Sequence, residues 1–357
     1  MRFLLLIIYS FMFGLTVFGQ EGVKFENLTL QEALAKAKAE KKLVFVDCHT
    51  PWCCACKYMM KNVFPKKEAG DYFNSRFISV SYDMEKEENK DILPITQRVF
   101  PVFFILRPDG YIQHKMIGGE SEPLPFIERV KRGANWKTSY SYLDSLYKKG
   151  KIKKMQLINY KLALDELGER EKSEEVGKKM EVLLTEKDKL KKEFWPMIER
   201  SQWGTDNYKL VVKDFDVLSK RVGEEKVEQY IVGVFEDKLR FPIDSVKILE
   251  QMSEDLNKLK LPNDYHLQQK VELALVGAKH DIDKVISLAG KATSDGKVMF
   301  WPVINVLNVL KKNATHKEIE KLLPLKGECM KMINSPHLEE FVTKYFKELE
   351  EQASEKQ

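Results

Sequence analysis

Apolar and polar positions change rhythm partway along the chain, and the change divides it in two. Leu30, Ala33, Leu34 and Ala37 share one stripe at helical spacing, and Thr29 with Glu32 three residues on is a capping-box pattern that would start the helix. Residues 43–46 are apolar without a break, as in a strand buried on both faces. Residues 56–64 read as a helix ended by Pro65, 77–82 alternate as a strand, and 89–98 predict a short helix despite Pro94. A second buried strand follows at 102–106. The Pro108-Asp109-Gly110 turn then leads to a hairpin partner at 111–117, which Gly118-Gly119 ends. A closing helix is expected at 124–132. Strands interleaved with helices in this order predict a mixed sheet with helical cover.

Beyond Gly133-Ala134-Asn135 the strand signals stop. Amphipathic segments of helical period follow one another, separated by Gly, Pro or Asn. Leu157, Tyr160, Leu164 and Leu167 form one stripe; Val176, Met180, Leu183 and Leu184 form the next; Val303, Val306, Leu307 and Leu310 form another after Pro302. The spacing suits paired helices and loosely resembles helical-hairpin arrays, although no consensus recurs cleanly. The expected organisation is therefore a leader at 1–19, an α/β domain at 20–133, and an all-α domain at 134–357 that could stack as a solenoid.

The leader reading rests on a positive start at Arg2, an apolar run over residues 3–17, and small-residue character before Gln20. The run is short for a membrane span, so secretion with cleavage near Gln20 is expected, and no span is expected after cleavage. An uncleaved membrane anchor is the alternative. An exported chain works where disulfides persist, which gives the cysteines their meaning. There are five: Cys48, Cys53, Cys54, Cys56 and Cys329, four of them within nine residues. Crowding of that kind does not staple a fold; it marks a local chemical device. The charge balance changes little. With 59 basic and 54 acidic residues interspersed, the net charge of +5 shows no basic arm and gives no reason to expect nucleic acid as a partner.

Cys53 and Cys56 sit three apart where the first buried strand gives way to a helix. Such a pair can open and close as a disulfide. A thiol at a helix N-terminus is favoured as the thiolate, the form that attacks disulfides, so Cys53 is expected to be exposed and ionised. Two other readings of these residues stay open: a structural disulfide in an inert scaffold, or soft metal ligation by Cys53, Cys54, Cys56 and His49. Cys48 and Cys329 read as packed core thiols, and Cys54 as a variable loop residue.

The run Trp52-Cys53-x-x-Cys56-Lys57 after a buried strand resembles the thioredoxin family. So do Asp47 six residues before Cys53, Phe100-Pro101-Val102 at the start of the next long strand, and the Pro-Asp-Gly hairpin with its Gly pair. Exported thioredoxin-like proteins, including the C-terminal domain of a periplasmic reductant conductor, are the most similar kind. The resemblance covers about a third of the chain. It implies a thioredoxin-like fold and thiol–disulfide exchange with protein thiols and disulfides in the periplasm. In that scheme Cys53 is the nucleophile, Cys56 the resolving thiol and Asp47 the acceptor of its proton. A cis Pro101 with Phe100 and Trp52 would flank the docked substrate chain, and a redox partner would recharge the centre. No cofactor and no metal are implied. Cys54-Ala55 stands where thioredoxin has Gly-Pro, and residues between the cysteines tune the potential, so the direction of electron flow is left open. The helical half would hold a partner near Cys53.

Overall fold

The computed structural model describes residues 22–95, 99–259, 261, 266–292 and 297–355. The leader at 1–19 lies outside these residues, as do positions 96–98 of the helix expected at 89–98. The part of that segment described is one helical turn at Glu87–Asn89 and irregular chain to residue 95. The chain divides into two compact units, one running to Thr185 and the other starting at Glu186.

The first unit is built on a four-stranded sheet: β1 (Leu43–His49), β2 (Phe77–Asp83), β3 (Val102–Leu106) and β4 (Ile112–Ile117). The order across the sheet is β2-β1-β3-β4, with β1 parallel to β2 and antiparallel to β3, and β3 antiparallel to β4. Side chains alternate faces along a strand. Val44, Val46, Cys48, Val102, Phe104 and Leu106 therefore pack on one side with Ala33 and Ala37 of α1 (Leu30–Glu40). Phe45, Phe103 and Ile105 pack on the other with α3 (Lys67–Arg76), with α4 (Pro123–Ala134), and with Met59, Val63 and Phe64, which follow α2 (Cys54–Tyr58). Both faces are covered, which is why β1 and β3 read as unbroken apolar runs.

The covered face is dense in phenylalanine. Phe45 lies edge-on to Phe73 at 4.8 Å and stacks on Phe103 at 5.5 Å, and Phe103 meets Phe126 of α4 at 4.9 Å. Burying each ring stabilises the unit by about 1.5–3 kcal/mol. The expected capping box at Thr29 and Glu32 is present, with Thr29 N–H donating to Glu32 Oε2 at 2.8 Å. The helix expected at 56–64 differs in detail. After Tyr58 it widens into a π turn over Met59–Val63, and the chain leaves through Phe64 and Pro65.

The first unit does not end near residue 133. It continues through α5 (Tyr140–Lys148), α6 (Gln156–Leu167) and α7 (Arg170–Leu183). A buried ionic cluster ties α6 to the sheet and to α4. Glu166 accepts from Arg132 Nη2, lies 3.7 Å from Arg129 Nε, and meets His114 Nε2 at 3.1 Å. His114 Nδ1 accepts the Tyr140 N–H at 3.1 Å, which leaves Nε2 as the protonated nitrogen facing Glu166. A Cβ on Gly133 would fall 2.5 Å from His114 Cδ2, so the expected linker glycine is a close-packing position.

In the second unit every described element is helical: α8 (Glu186–Lys189), α9 (Trp195–Ile198), α10 (Asp206–Lys213), α11 (Phe215–Val222), α12 (Glu224–Leu239), α13 (Val246–Leu259), α14 (Leu267–Ala278), α15 (Ile282–Ala292), α16 (Lys297–Leu310), α17 (His316–Leu322), α18 (Leu325–Lys331) and α19 (Pro336–Glu355). Val303, Val306, Leu307 and Leu310 join one buried cluster with Tyr345, Phe346 and Cys329, and α16 runs straight through Pro302 instead of starting after it. Helices α14 and α16 approach closely, since a Cβ on Gly277 would meet Val306 Cγ1 at 2.5 Å. Among the described residues, no helix is long and apolar enough to cross a membrane.

Candidate active site

Strand β1 ends at His49 and the chain turns through Thr50, Pro51 and Trp52 into α2. Cys53 N–H donates to Thr50 O at 3.2 Å, which closes the turn and puts Cys53 at the N-cap of α2. Cys53 and Cys56 are joined by a disulfide. Cys53 Sγ also accepts the Cys56 N–H at 3.0 Å, so a backbone donor already faces the sulfur that would carry charge when the bond opens. The expectation of an exposed Cys53 is corrected here. In the disulfide state it is 5% accessible, as is Cys56. Its neighbour Trp52 is 57% exposed.

The Trp52 and Phe100 rings meet edge-on at 6.0 Å, and Trp52 Nε1 donates to Glu85 Oε1 at 2.7 Å, which pins the indole to the segment after β2. The Phe100–Pro101 peptide bond is cis. Pro101 O accepts the Gly118 N–H at 2.9 Å. A Cβ on Gly119 would lie 2.8 Å from Met59 Cγ and 3.8 Å from Pro101 Cγ, so the expected glycine pair lets this turn pass between α2 and the proline.

Asp47 is 2% exposed and lies on the same face of β1 as Phe45, the face against which Met59 and Val63 of the π turn pack. Burial pushes its carboxyl up to about 6, although a hydrogen bond from Ser81 and the nearby His49 pull the other way. Ser81, its register partner on β2, donates to Asp47 Oδ2 at 2.7 Å. The same hydroxyl lies 3.0 Å from His49 Nδ1, and His49 Nδ1 is 3.7 Å from Asp47 Oδ2. The sequence marks His49 only as a candidate metal ligand and does not mark Ser81 at all. The signal for Ser81 is only its register opposite Asp47, which appears once β1 and β2 are paired.

The remaining cysteines are separate from this chemistry. Cys48 faces the opposite side of β1 and is fully buried, and burial pushes its thiol up. Cys329 is buried among second-unit helices and is pushed up to about 12, chiefly by burial. Cys54 is exposed on α2. Among the described residues, no three His, Cys, Asp or Glu side chains converge on a point that could hold a metal ion.

A two-faced mixed sheet with a Cys-x-x-Cys disulfide at the start of α2, a buried acid on β1 and a cis-proline before β3 defines a thioredoxin-like domain. Residues 25–108 match the Thioredoxin-like family model, so the first unit carries a thioredoxin-like domain, with a helical region following. Among curated proteins it is 40% identical over 63 residues to the thiol:disulfide interchange protein DsbD of Vibrio cholerae, a match that covers 18% of this chain and 10% of that protein. The chain thus spans about a tenth of that relative's length. Among solved structures it is similar to a candidate disulphide-isomerase from Bacteroides thetaiotaomicron, at 34% identity and a TM-score of 0.30, covering 32% of this chain and 95% of that one. It is also similar to the oxidised C-terminal domain of DsbD from Neisseria meningitidis, at 22% identity and a TM-score of 0.27, covering 31% and 98%.

Proposed function

We propose that this protein is an exported thiol–disulfide oxidoreductase that exchanges disulfides with protein partners, and that Cys53, Cys56 and Asp47 carry the reaction. The observation that carries the reading is the Cys53–Cys56 disulfide at the N-cap of α2, on the sheet face that also buries Asp47. In the reducing direction the Cys53 thiolate attacks a partner disulfide, forms a mixed disulfide and releases one partner thiolate. Cys56 gives its proton to Asp47 and attacks Cys53 Sγ. The Cys53–Cys56 bond forms, the second partner thiolate leaves, and two electrons have passed to the partner. In the oxidising direction the same steps run backwards.

A carboxyl held near 6 suits this part, because it can both take and give a proton close to neutral pH. Trp52 and Phe100, whose rings meet edge-on, and the cis Pro101 are assigned to docking the substrate chain. We place the exchange chemistry in residues 20–133, assign residues 134–357 to holding a partner, and expect a second redox protein to recharge the centre. The relative named for thiol:disulfide interchange supports the same assignment.

The test is turnover. The purified protein with a thiol donor should reduce a protein disulfide, and Cys53→Ser should abolish this. Cys56→Ser should accumulate mixed disulfides through Cys53 in extracts, because resolution is blocked. An inert wild-type protein that traps nothing would leave a binding scaffold as the better account. N-terminal sequencing of the protein made in its native cells should give a mature start near Gln20.

A further inference from the structure

Asp47 holds the proton taken from Cys56 when the disulfide forms, and it is sealed from water at 2% exposure. Without a path outward that proton could return only to Cys56, and the site could not equilibrate with the pH of the solution. The structure shows one continuous hydrogen-bonded path outward. Asp47 Oδ2 accepts from Ser81 Oγ at 2.7 Å, and Ser81 Oγ lies 3.0 Å from Nδ1 of His49, whose side chain is 31% exposed. Resting on the exchange reading above, we infer that Ser81 and His49 form a proton conduit joining the buried Asp47 carboxyl to solvent, with His49 as the group that passes the proton to and from water.

The chemistry balances without a further reactant. With Asp47 protonated, its O–H donates to Ser81 Oγ and the Ser81 O–H donates to His49 Nδ1. Ser81 accepts the proton from Asp47 as its own passes to Nδ1, and the imidazole releases a proton to water from Nε2. The end state has Ser81 donating to an ionised Asp47 and His49 Nδ1–H donating to Ser81. That matches the Ser81-to-Asp47 hydrogen bond observed. No electrons move in these steps; they return the carboxylate to the state that accepts the Cys56 proton. A hydroxyl suits the middle position because it donates and accepts at once.

The surroundings offer little competition for the proton. From β3, the residue opposite Asp47 is the apolar Phe103. From β2, Ser81 faces Asp47, and the next residue on that face, Asp83, pairs with His49. Glu85 beyond it is held by Trp52 Nε1. From α2 come the two cysteines and the exposed Lys57. Ser81 and His49 touch no reacting sulfur on this reading, so they are positioning and relay residues.

The test uses the full chain, reduced and then oxidised by glutathione disulfide in stopped flow from pH 5 to 9. Ser81→Ala should slow oxidation about tenfold near pH 7, a share of what general acid–base catalysis supplies, while Ser81→Thr keeps the hydroxyl and recovers most of the rate. His49→Ala should also be slow, and added imidazole should restore it in proportion to concentration while leaving Ser81→Ala unaffected. Adding Ser81→Ala to Asp47→Asn should slow the reaction no further than Asp47→Asn alone, since the conduit then serves nothing. The inference is overturned if Ser81→Ala and His49→Ala match wild type while Asp47→Asn is slow, or if imidazole fails to rescue His49→Ala. Failure of the exchange reading looks different, because the wild type would then react no faster than Cys53→Ser. The carboxyl infrared band still judges the contacts in that event: the midpoint for Asp47 should rise in Ser81→Ala, and an unchanged midpoint refutes the link.

Discussion

Replacing Asp47 by Asn should make the oxidised protein more stable at neutral pH, and the size follows from the site. The carboxyl is buried and its pKa is raised from 3.8 to about 6, so the folded state holds a proton that the unfolded chain releases. For a raised acid the penalty is absent below about pH 4, where both states are protonated. It grows as pH rises and is complete above the folded value. A difference of about two pH units corresponds to on the order of 3 kcal/mol, at roughly 1.4 kcal/mol per unit. Asn keeps the shape and an acceptor for the Ser81 hydroxyl but carries no charge, so Asp47→Asn should recover most of this at pH 7.5 and little at pH 4. Because the chain has two compact units, a global melt would mix their transitions. Hydrogen exchange of β1 and β3 amides read by mass spectrometry isolates the first unit. Exchange through full opening of that unit should slow by roughly 100-fold at pH 7.5 in the variant. Equal protection in both proteins at pH 7.5, or a gain just as large at pH 4, would refute the argument that Asp47 is a strained, buried acid.

Two further outcomes concern the cluster that ties α6 to the sheet. Glu166→Ala should destabilise the first unit by about 3–5 kcal/mol, because it leaves the buried Arg129 and the partly buried Arg132 without their acid; denaturant unfolding followed by β4 and α6 exchange measures it. Burial alone would raise Glu166, but the His114 hydrogen bond and the two arginines outweigh it and hold the carboxyl down to about 2. In wild type the stabilisation should therefore be full above about pH 4.5 and fade as pH falls toward 2, a fade that the same exchange peptides should miss in Glu166→Ala. Gly133→Ala should cost about 1–3 kcal/mol by overpacking, since its Cβ meets His114 Cδ2 at 2.5 Å, and hydrogen exchange of β4 and α4 amides equal to wild type would show that the ring gives way freely.

The sheet was legible because local and tertiary patterns agree there. Residues 43–46 and 102–106 are apolar on every position, and both strands are covered on both faces. Cys53 and Cys56 are marked by short-range spacing, since a turn and a helix start are local events, and Pro101 by the family resemblance. The end of the first unit was not legible. Gly133 looked like punctuation, yet what joins α6 to β4 is an ion cluster between His114 and Glu166, 52 residues apart. Charged residues on an amphipathic helix usually face water, so nothing local marks Glu166 as buried. Ser81 was hidden for the same reason, because a serine on an alternating strand has no distinguishing pattern until its register partner is known.

The two buried carboxylates of the first unit show how environment divides structural from chemical work. Glu166 is met by Arg132, Arg129 and His114, and charge of that density holds it ionised across the working pH range. It can fix α6 in place, but it cannot take up a proton near neutrality. Asp47 is buried as deeply and is met by one neutral hydroxyl and one partly exposed imidazole, so the desolvation that burial imposes is only partly offset. A guanidinium in place of Ser81 would satisfy Asp47 better and stabilise the fold more, and it would pull the carboxyl down toward the state of Glu166, where it no longer accepts a thiol proton. The weak partner at position 81 is thus the feature that leaves Asp47 able to take up a proton near neutrality, as the proposed exchange with Cys56 requires, and the stability it forgoes is the same quantity that Asp47→Asn should return.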